Sequence, residues 1–416
     1  MKILLTGKGG REHALAHALH RSPSNPTIYA YPGNDGMASF VQDIQVPDID
    51  TLIDWMTEQQ IDLCVAGEES YLAVGLADKC TQAGIRVWGP VQRSAQLESS
   101  KIFAKEFMNR HQIPTASYTV AASSEEVRAA ITEYPCVLKY DGLAAGKGVS
   151  VCTDQEQVDA FIESVFENNQ FGQGLVIVEQ CLEGQELSII CAVTNGTYQW
   201  FTPARDYKRQ LDGDQGPNTG GMGAVSSQAL MPPEQLSEIE QHIIKPVVEG
   251  FIKEKMLYRG FLYFGLMLTK QGARVLEFNC RFGDPEAQAI LPLVDGDLAT
   301  YLYEAANGDL RPDLIHMNDA WSLCLVLASK DYPYRSDYGQ VITGLDMIKH
   351  AYIYHAGTEK NNHEQYIVNG GRVLSLVCRG ESLEQTRITA YTEIEKVTFK
   401  GAQYRKDIGR LHFEKG

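Results

Sequence analysis

The 416-residue sequence lacks most of the features that are typical of nucleic-acid-binding proteins, membrane proteins and proteins with a structural zinc site. Its net charge of −16 gives no general attraction to nucleic acid or anionic lipid. No stretch approaches the ~18 apolar residues of a membrane span, and the apolar run after Met1 is too short for a signal peptide. The nine cysteines occur singly, so reduced thiols are expected rather than a zinc site or a disulfide framework. These absences predict a cytoplasmic protein with neither a nucleic-acid nor a membrane partner.

The glycine-rich segment KYDGLAAGKGVSV, residues 139–151, lacks the spacing of a P-loop. Only three residues separate Gly142 from Gly146, where the motif needs four, and Gly148 follows Lys147, where it needs Ser or Thr. The flanking stretches CVLKY and VSVCT both predict strands. The segment is therefore predicted to be the tip of a β-hairpin, with Lys147 either at a phosphate or simply exposed.

The stretch GKGGREHAL near the N-terminus follows a predicted strand and opens a predicted helix, but it lacks the third glycine of dinucleotide-binding proteins. Glu12 stands at that position, so NAD binding is disfavoured. The backbone amides at Gly9 and Gly10 can instead hold one anion, such as a sugar phosphate, at the N-terminus of the helix. A purely structural turn is the alternative interpretation.

The hydrophobic pattern predicts three regions, in keeping with a length that exceeds one hydrophobic core. Strands alternate with helices in the first part and predict a parallel, Rossmann-like sheet, to which we assign residues 1–100. Longer strands predict an α+β region at 101–315, with a mobile lid at about 120–186 and an irregular stretch LDGDQGPNTGGMGA. Residues 316–416 are predicted to form a small β-rich domain.

The stretch VLEFNCR is predicted to be a strand with one polar face. The period of two places Leu276, Phe278 and Cys280 toward the core, and Glu277, Asn279 and Arg281 on the opposite face. The acidic turn FGDPE follows directly. Carboxylate and amide oxygens suit magnesium, which commonly shares its coordination sphere with substrate phosphates. A surface strand with scattered polar side chains is the alternative interpretation.

Another pair of acids lies in the segment VIVEQCLEGQE, where a turn at Gly184 separates Glu179 from Glu186. After such a strand, backbone groups can bind an adenine edge, and a carboxylate beyond the turn can accept hydrogen bonds from ribose hydroxyls. Lys139 precedes this segment and lies within an apolar run. Solvated hairpin charges are the alternative interpretation of the two glutamates.

In chain order, a strand lysine, a glycine hairpin with a lysine, two spaced glutamates and an E-x-N strand are the parts of an ATP-grasp fold. Further motifs narrow the resemblance: GKGGREHAL, DGLAAGKGV, DYKR, GPNTGGMGA, EFNCRFGDPE, HAGT, NGGRV and RKDIG. Together they resemble the phosphoribosylamine–glycine ligase family, also called glycinamide ribonucleotide synthetases, from residue 1 to about residue 410. GPNTGGMGA and EFNCRFGDPE are the most specific of these motifs.

The resemblance implies an ATP-dependent ligase of purine biosynthesis. In this family, 5-phosphoribosylamine, glycine and ATP give glycinamide ribonucleotide, ADP and phosphate through glycyl phosphate. The negative charge that gathers in both steps calls for Mg²⁺ or Mn²⁺ and for basic side chains. We therefore expect small-molecule partners only, bound by a monomer or a weak homodimer.

The resemblance also implies a set of site residues. The metal is expected at Glu277 and Asn279. ATP is expected at Lys101, Lys139, Lys147, Glu179, the backbone around Leu182, and Glu186. The acceptor and glycine are expected at Gly9, Gly10, Asp206, Lys208, Asn218, Gly220 and Arg281. Arg281 and Lys147 are the expected catalytic residues.

Two alternative functions follow from the same patterns. Another ATP-grasp carboxylate–amine ligase would share the ATP site and differ in the acceptor loops, and GPNTGGMGA argues against it. A non-catalytic nucleotide-binding regulator would have lost a metal ligand or a phosphate lysine, and none is lost. The sequence departs from the family at Lys8, Glu68 and Tyr71 and in SKDYPY at 329–334. These departures bear on acceptor binding rather than on the ATP site.

Overall fold

The computed structural model describes residues 1–144, 148–172 and 174–410, and it begins with a five-stranded parallel sheet. The elements of this region are β1 Lys2–Thr6, α1 Gly10–His20, β2 Thr27–Tyr31, β3 Gln42–Asp43, α2 Ile49–Glu58, β4 Leu63–Ala66, α3 Glu69–Ala73, α4 Leu76–Gln82 and β5 Val87–Trp88. The strand order β3-β2-β1-β4-β5 places the first strand at the centre. Ile3, Leu4 and Leu5 are completely buried, as expected for a parallel strand covered on both faces.

Two helices, α5 Gln92–Ser99 and α6 Lys101–Arg110, lead to a small antiparallel sheet that we call the lid sheet. Its elements are β6 Tyr118–Ala121, α7 Ser124–Ala130, β7 Cys136–Tyr140, β8 Val149–Cys152, α8 Gln155–Ile162 with a π-helical extension Glu163–Glu167, and β9 Val176–Gln180. The strand order is β6-β9-β7-β8. Strands β7 and β8 pair antiparallel, which confirms the predicted hairpin. Its tip residue Lys147 lies outside the described residues.

The rest of the described chain forms one large antiparallel sheet and three small ones. The strands up to the predicted boundary at 315 are β10 Gln185–Thr194, β11 Thr197–Trp200, β12 Ala204–Asp206, β13 Arg209–Leu211, β14 Gln215–Asn218, β15 Gly223–Ser226, β16 Arg259–Thr269, β17 Gly272–Asn279 and β18 Val294–Gly296. Those beyond it are β19 Ile315–Met317, β20 Trp321–Ala328, β21 Tyr338–Val341, β22 Tyr352–His355, β23 Thr358–Lys360, β24 Tyr366–Asn369 and β25 Arg372–Gly380. The large sheet follows the order β17-β16-β10-β12-β15-β20-β25-β22, so it crosses that boundary without interruption.

The helices of this second half are α9 Pro233–Ile239, α10 Lys245–Lys253, α11 Glu286–Ile290, α12 Leu298–Ala306 and α13 Leu383–Ile394. Helix α13 was not predicted from the sequence, and it packs on β20 and β25 with Ala390 and Ile394 buried. The stretch expected to be irregular, residues 211–224, contains β14, the last residue of β13 and the first two residues of β15, so that expectation was wrong there. Within the described residues, no helix combines the length and apolar composition needed to cross a membrane.

Strand β17 carries the predicted polar face with one interruption. Its register with β16 shifts between Glu277 and Val275, so Leu276 is the extra residue of a β-bulge. Val275 is completely buried and Leu276 only half-buried, so the expectation that Leu276 faces the core was wrong for this reason. Phe278 and Cys280 are buried as predicted, because they follow the bulge in regular alternation.

Candidate active site

A cleft of about 380 Å³ lies where the lid sheet, the edge of the large sheet and the N-terminal region meet. Many of the predicted site residues line it: Lys101, Lys139, Glu179, Asp206, Lys208, Asn218, Gly220, Glu277, Asn279 and Arg281. These residues come from elements that are distant in sequence. Folding therefore brings together side chains that the sequence patterns had indicated separately.

The predicted metal ligands lie on the cleft side of β17. The Glu277 side chain is 37% exposed, and its Oε1 lies 3.5 Å from Lys208 Nζ. Burial alone would raise the pKa of Glu277, but the charges of Lys208 and Lys139 lower it below its usual range. The amide of Asn279, oriented so that its nitrogen donates, lies 3.1 Å from Glu98 Oε1, which leaves its oxygen available as a ligand. An ionised carboxylate beside an amide oxygen fits a divalent cation such as Mg²⁺.

A metal ion held by this predicted pair would occupy an open site rather than a closed one. Among residues 1–144, 148–172 and 174–410, no three His, Cys, Asp or Glu side chains form a group that could hold a metal ion. Two protein ligands leave coordination positions for phosphate oxygens and water, which is the usual arrangement of Mg²⁺ at a nucleotide.

Buried lysines surround Glu179 on the lid side of the cleft. Lys139 Nζ lies 3.1 Å and Lys105 Nζ 3.2 Å from the same carboxylate oxygen of Glu179. Glu179 is 4% exposed, and its other oxygen has no hydrogen-bond partner in the part of the chain that the structure describes. Lys101 Nζ donates to the carbonyl of Gly142 at 2.9 Å, at the start of the glycine hairpin tip. This side of the cleft thus offers a buried acceptor and several fixed positive charges.

Arg281 is held by two carboxylates beside the metal pair. Its Nη2 lies 2.7 Å from Glu98 Oε1, and its Nε lies 3.1 Å from Glu69 Oε2. Burial alone would lower the pKa of Arg281, but these carboxylates raise it and keep the guanidinium charged. Burial raises the pKa of Glu98 to about 7. Burial would also raise the pKa of Glu69, but Arg281 and Arg11 lower it to about 2.

The segments that flank hairpin β13–β14 form another wall of the cleft. Lys208 Nζ lies 3.5 Å from Glu277 Oε1 and 3.6 Å from Glu186 Oε2. Burial alone would lower the pKa of Lys208, but the two glutamates raise it well above its usual range. The backbone N–H and the hydroxyl of Thr219 donate to the Lys208 carbonyl at 2.7 and 2.8 Å, which closes the base of the hairpin.

Arg372 connects this wall to the acidic turn after β17. Its Nη2 lies 3.0 Å from Asp284 Oδ2, and its Nη1 donates to the carbonyls of Gly220 and Asp284. Asp206 Oδ1 is buried and has no hydrogen-bond partner among the described residues. Burial and the nearby Glu286 raise the pKa of Asp206 well above its usual range. This wall can therefore present both a cation and a buried carboxyl group to a ligand.

The N-terminal glycine turn is not among the residues that line the cleft. The Gly9 N–H donates to Glu12 Oε2 at 2.8 Å, so this amide is already bonded. Gly7 has a φ of +112°, and a Cβ there would lie 2.7 Å from Cγ of Glu12. Glu12 thus fills the turn, which agrees with the absence of a dinucleotide motif. A phosphate at Gly9 would have to displace this carboxylate, and the roles of Gly9 and Gly10 stay predictions.

Leu182 and Glu186 also lie apart from the residues that line this cleft. Leu182, together with Cys181, lines a second, open cleft of about 1870 Å³, and Met108 borders both clefts. Glu186 contacts the site residue Lys208. The expected contacts of Leu182 with adenine and of Glu186 with ribose therefore stay predictions.

Seven charged residues that line the cleft received no role in the sequence analysis: Arg11, Glu69, Glu98, Lys105, Asp284, Glu286 and Arg372. Arg372 belongs to the motif NGGRV, which contributed to the family resemblance although no function was assigned to its residues. Glu98 and Lys105 lie on helices α5 and α6, where a charged residue is usually solvated and gives no local signal. Burial lowers the pKa of Lys105 to about 8, in spite of its ion pair with Glu179.

The chain matches three family profiles that together cover most of its length. They are described as Phosphoribosylglycinamide synthetase, N domain at residues 1–98, ATP-grasp (A) domain at residues 99–287, and C domain at residues 322–411. These matches confirm the predicted fold class, with a Rossmann-like N-terminal region, an ATP-grasp central region and a β-rich C-terminal region.

Individual relatives agree with the profiles. The chain is 40% identical over 414 residues to a phosphoribosylamine–glycine ligase of Caldanaerobacter subterraneus subsp. tengcongensis, with 98% of this chain and 99% of the relative covered. It is 40% identical over 420 residues to the trifunctional purine biosynthetic protein adenosine-3 of Gallus gallus, with 98% of this chain and 42% of that protein covered. The crystal structure of phosphoribosylamine–glycine ligase from Thermotoga maritima has a TM-score of 0.86 and 33% identity, with 98% of this chain and 100% of that chain covered. The chain therefore belongs to the phosphoribosylamine–glycine ligase family and is an ATP-grasp ligase.

Proposed function

We propose that this chain uses ATP to ligate glycine to 5-phosphoribosylamine, which yields glycinamide ribonucleotide, ADP and phosphate. Membership of the family makes it a ligase of purine biosynthesis. The observation that carries the proposed reaction is that one cleft brings together the two predicted metal ligands, Glu277 and Asn279, the lysines of the lid side, and Arg281. A protein that only bound nucleotide would not need Arg281 held beside the metal pair by two carboxylates.

ATP binds between the lid sheet and β17 in this proposal. The free oxygen of Glu179 accepts a hydrogen bond from the adenine amino group, and Lys101 and Lys139 hold phosphate oxygens. Glu277 and Asn279 would hold Mg²⁺ or Mn²⁺, which neutralises phosphate charge when bound. By the family resemblance, Lys147 and the backbone around Leu182 add further contacts to ATP, and Glu186 binds ribose.

The reaction proceeds in two displacements through glycyl phosphate. A carboxylate oxygen of glycine first bonds to the γ-phosphorus of ATP, and ADP leaves. The amine nitrogen of 5-phosphoribosylamine then bonds to the glycyl carbonyl carbon, phosphate leaves, and the nitrogen loses a proton. Arg281 stabilises the glycine carboxylate and then the acyl phosphate, because its positive charge is fixed before the reaction begins. Asp206, Lys208 and the Asn218–Gly220 loop shape the acceptor site.

ADP release tests this function directly. We expect ADP to form with glycine and freshly generated 5-phosphoribosylamine, and its release to fall to background when either substrate is omitted. Equal release without the amine would contradict the proposal, because it would indicate simple ATP hydrolysis. Release that depends on a different carboxylate or a different amine would favour another ATP-grasp ligase.

We further propose that the protein works in the cytoplasm as a monomer or a weak homodimer with Mg²⁺ or Mn²⁺. Chelation should abolish ADP release, and adding back each ion separately should show which one restores it. Full activity in excess chelator would contradict the metal requirement. Light scattering over a range of protein concentrations tests the oligomeric state, and a larger assembly at all concentrations would contradict it.

A further inference from the structure

The motif RKDIG near the C-terminus has no part in the proposed reaction, yet its arginine is almost completely buried. Arg405 is 1% exposed. Its Nε and Nη2 donate to the two carboxylate oxygens of Asp407 at 2.8 and 2.7 Å. Its Nη1 lies 2.8 Å from Asp214 Oδ1 and donates to the carbonyl of Arg209 at 3.0 Å. One guanidinium group therefore joins the C-terminal segment to the hairpin β13–β14.

Backbone contacts extend this junction along the hairpin tip. The N–H of Gly213 donates to Asp407 Oδ2 at 2.8 Å, and the N–H of Lys406 donates to Asp212 Oδ1 at 2.8 Å. Burial alone would raise the pKa of Asp407, but Arg405 and the Gly213 N–H lower it to about 2. The hairpin tip and the RKDIG motif thus each donate a backbone hydrogen bond to a carboxylate of the other.

The hairpin depends on such support because it forms a two-stranded sheet of its own. Residues 211–216 are all exposed. An isolated two-stranded hairpin is at best marginally stable in water. Its two ends nevertheless carry residues of the cleft, with Lys208 directly before β13 and Asn218 at the end of β14. A shift of the hairpin would therefore move both residues.

We infer that Arg405 is a positioning residue, which holds the hairpin through Asp407 and Asp214 so that Lys208 and Asn218 keep their places in the cleft. This inference rests on the proposed function for the identity of the acceptor that these residues meet. Arg405 does not itself line the cleft. The lysines on the ATP side belong to α6 and β7, so the clamp reaches the ATP side only indirectly, through the contacts of Lys208 with Glu186 and Glu277.

The substitution Arg405→Met removes the charge and the donors and retains an unbranched stem. We expect faster hydrogen exchange at residues 209–218, and a rise of at least ~10-fold in the KM for 5-phosphoribosylamine, equivalent to ~1.4 kcal/mol. The Kd of ATP, measured by calorimetry, should change much less than this KM. Arg405→Lys should restore only part of the effect, because an ammonium group cannot make the bidentate contact with Asp407.

Two further variants make the result decisive. Asp214 is 60% exposed, so Asp214→Asn should fold normally and change exchange and KM in the same direction, to a smaller extent. Arg311→Met is the matched control, because Arg311 donates to both oxygens of Asp313, also two residues later, at 3.0 and 2.9 Å. It should leave hairpin exchange, KM and ATP binding unchanged.

Unchanged exchange at residues 209–218 in the Arg405 and Asp214 variants would overturn the inference. A lower Tm with unchanged KM would overturn it too, because that pattern belongs to a purely structural ion pair. If Arg405→Met does not fold, Asp214→Asn decides alone. If the unmodified chain shows no ligase activity, the proposed function fails, while hairpin exchange and ATP binding still decide whether the clamp exists.

Discussion

Glu98 is predicted to position both the metal ligand and the arginine of the site. One of its oxygens accepts from the Cys280 N–H at 2.6 Å, and the other lies 2.7 Å from Arg281 Nη2 and 3.1 Å from the Asn279 amide. These partners are consecutive residues, and all of them are donors. Above its pKa of about 7 the Glu98 carboxylate is ionised, has only acceptors and satisfies them together. The substitution Glu98→Gln places an NH₂ group against at least one of the donors.

The magnitude follows from these contacts. A hydrogen bond to a charged group contributes about 1.5–3 kcal/mol, so loss of one of these contacts to the Glu98 carboxylate should lower kcat/KM for glycine by about 10- to 150-fold. A higher Mg²⁺ concentration should also be needed for half-maximal rate, because the Asn279 amide is no longer oriented. Glu98→Asp keeps the charge and should recover part of the activity. Steady-state ADP release at several Mg²⁺ concentrations measures both effects.

The control for this prediction is Glu254→Gln. Glu254 accepts from Arg110 at 2.9 and 3.1 Å on the surface of α6 and lies outside the cleft. It should leave kcat/KM and the Mg²⁺ dependence unchanged. If Glu98→Gln lowered Tm but kept the kinetic constants and the Mg²⁺ dependence of the unmodified chain, Glu98 would be a structural residue only and the reasoning would be refuted.

Three further predictions follow from the same structure. Glu277→Ala and Asn279→Ala should abolish turnover, whereas Cys280→Ser should mainly lower the free energy of unfolding; near-normal rates for Glu277→Ala would refute the metal assignment. A nonhydrolysable ATP analogue should slow hydrogen exchange at residues 141–148, and equal rates with and without it would contradict closure of the hairpin on ATP. Burial lowers the pKa of His13 to about 3 and that of His355 to about 4. In the unfolded chain each histidine titrates near ~6.5. As the pH falls from 7.5 to 5, protonation of the unfolded chain at each of these two positions should therefore lower the free energy of unfolding by ~2 kcal/mol. The stability gap between the unmodified chain and the doubly substituted His13→Gln/His355→Gln variant should shift by ~4 kcal/mol over that range, and a pH-independent gap in denaturant unfolding would count against it.

Local sequence patterns were sufficient to predict strand β17 and its polar face. A strand period of two is a property of the backbone, so it correctly placed Phe278 and Cys280 in the core and Glu277 in the cleft. The strand period could not predict the bulge at Leu276, because the bulge depends on how β17 pairs with β16. Its consequence is useful to the site, since the Leu276 carbonyl accepts from Lys139 Nζ at 3.0 Å.

Helix α13 and the clamp on β13–β14 were missed for different reasons. The sequence LEQTRITAYTEI is rich in Thr and Ile, whose stiff side chains weaken a helical pattern, and packing on the sheet overrides that propensity. Arg405 in RKDIG resembles any charged residue of a C-terminal tail. Only the fold shows that it lies against Asp214, a residue distant in sequence.

The N-terminal turn shows why a motif alone could not separate binding from packing. Its glycines suggest an anion site, yet a Cβ on Gly10 would lie 2.7 Å from Gln288 Nε2 and 3.5 Å from Ser375 Oγ. These neighbours belong to α11 and β25, so residues from all three predicted regions approach one another at Gly10. A methyl group there would force the buried Gln288 amide, which donates to Asp284 Oδ1 at 2.7 Å, to move whether or not a phosphate binds. Packing is therefore by itself a reason for a small residue at this position, and evidence for phosphate binding has to come from the amides themselves rather than from the presence of glycine.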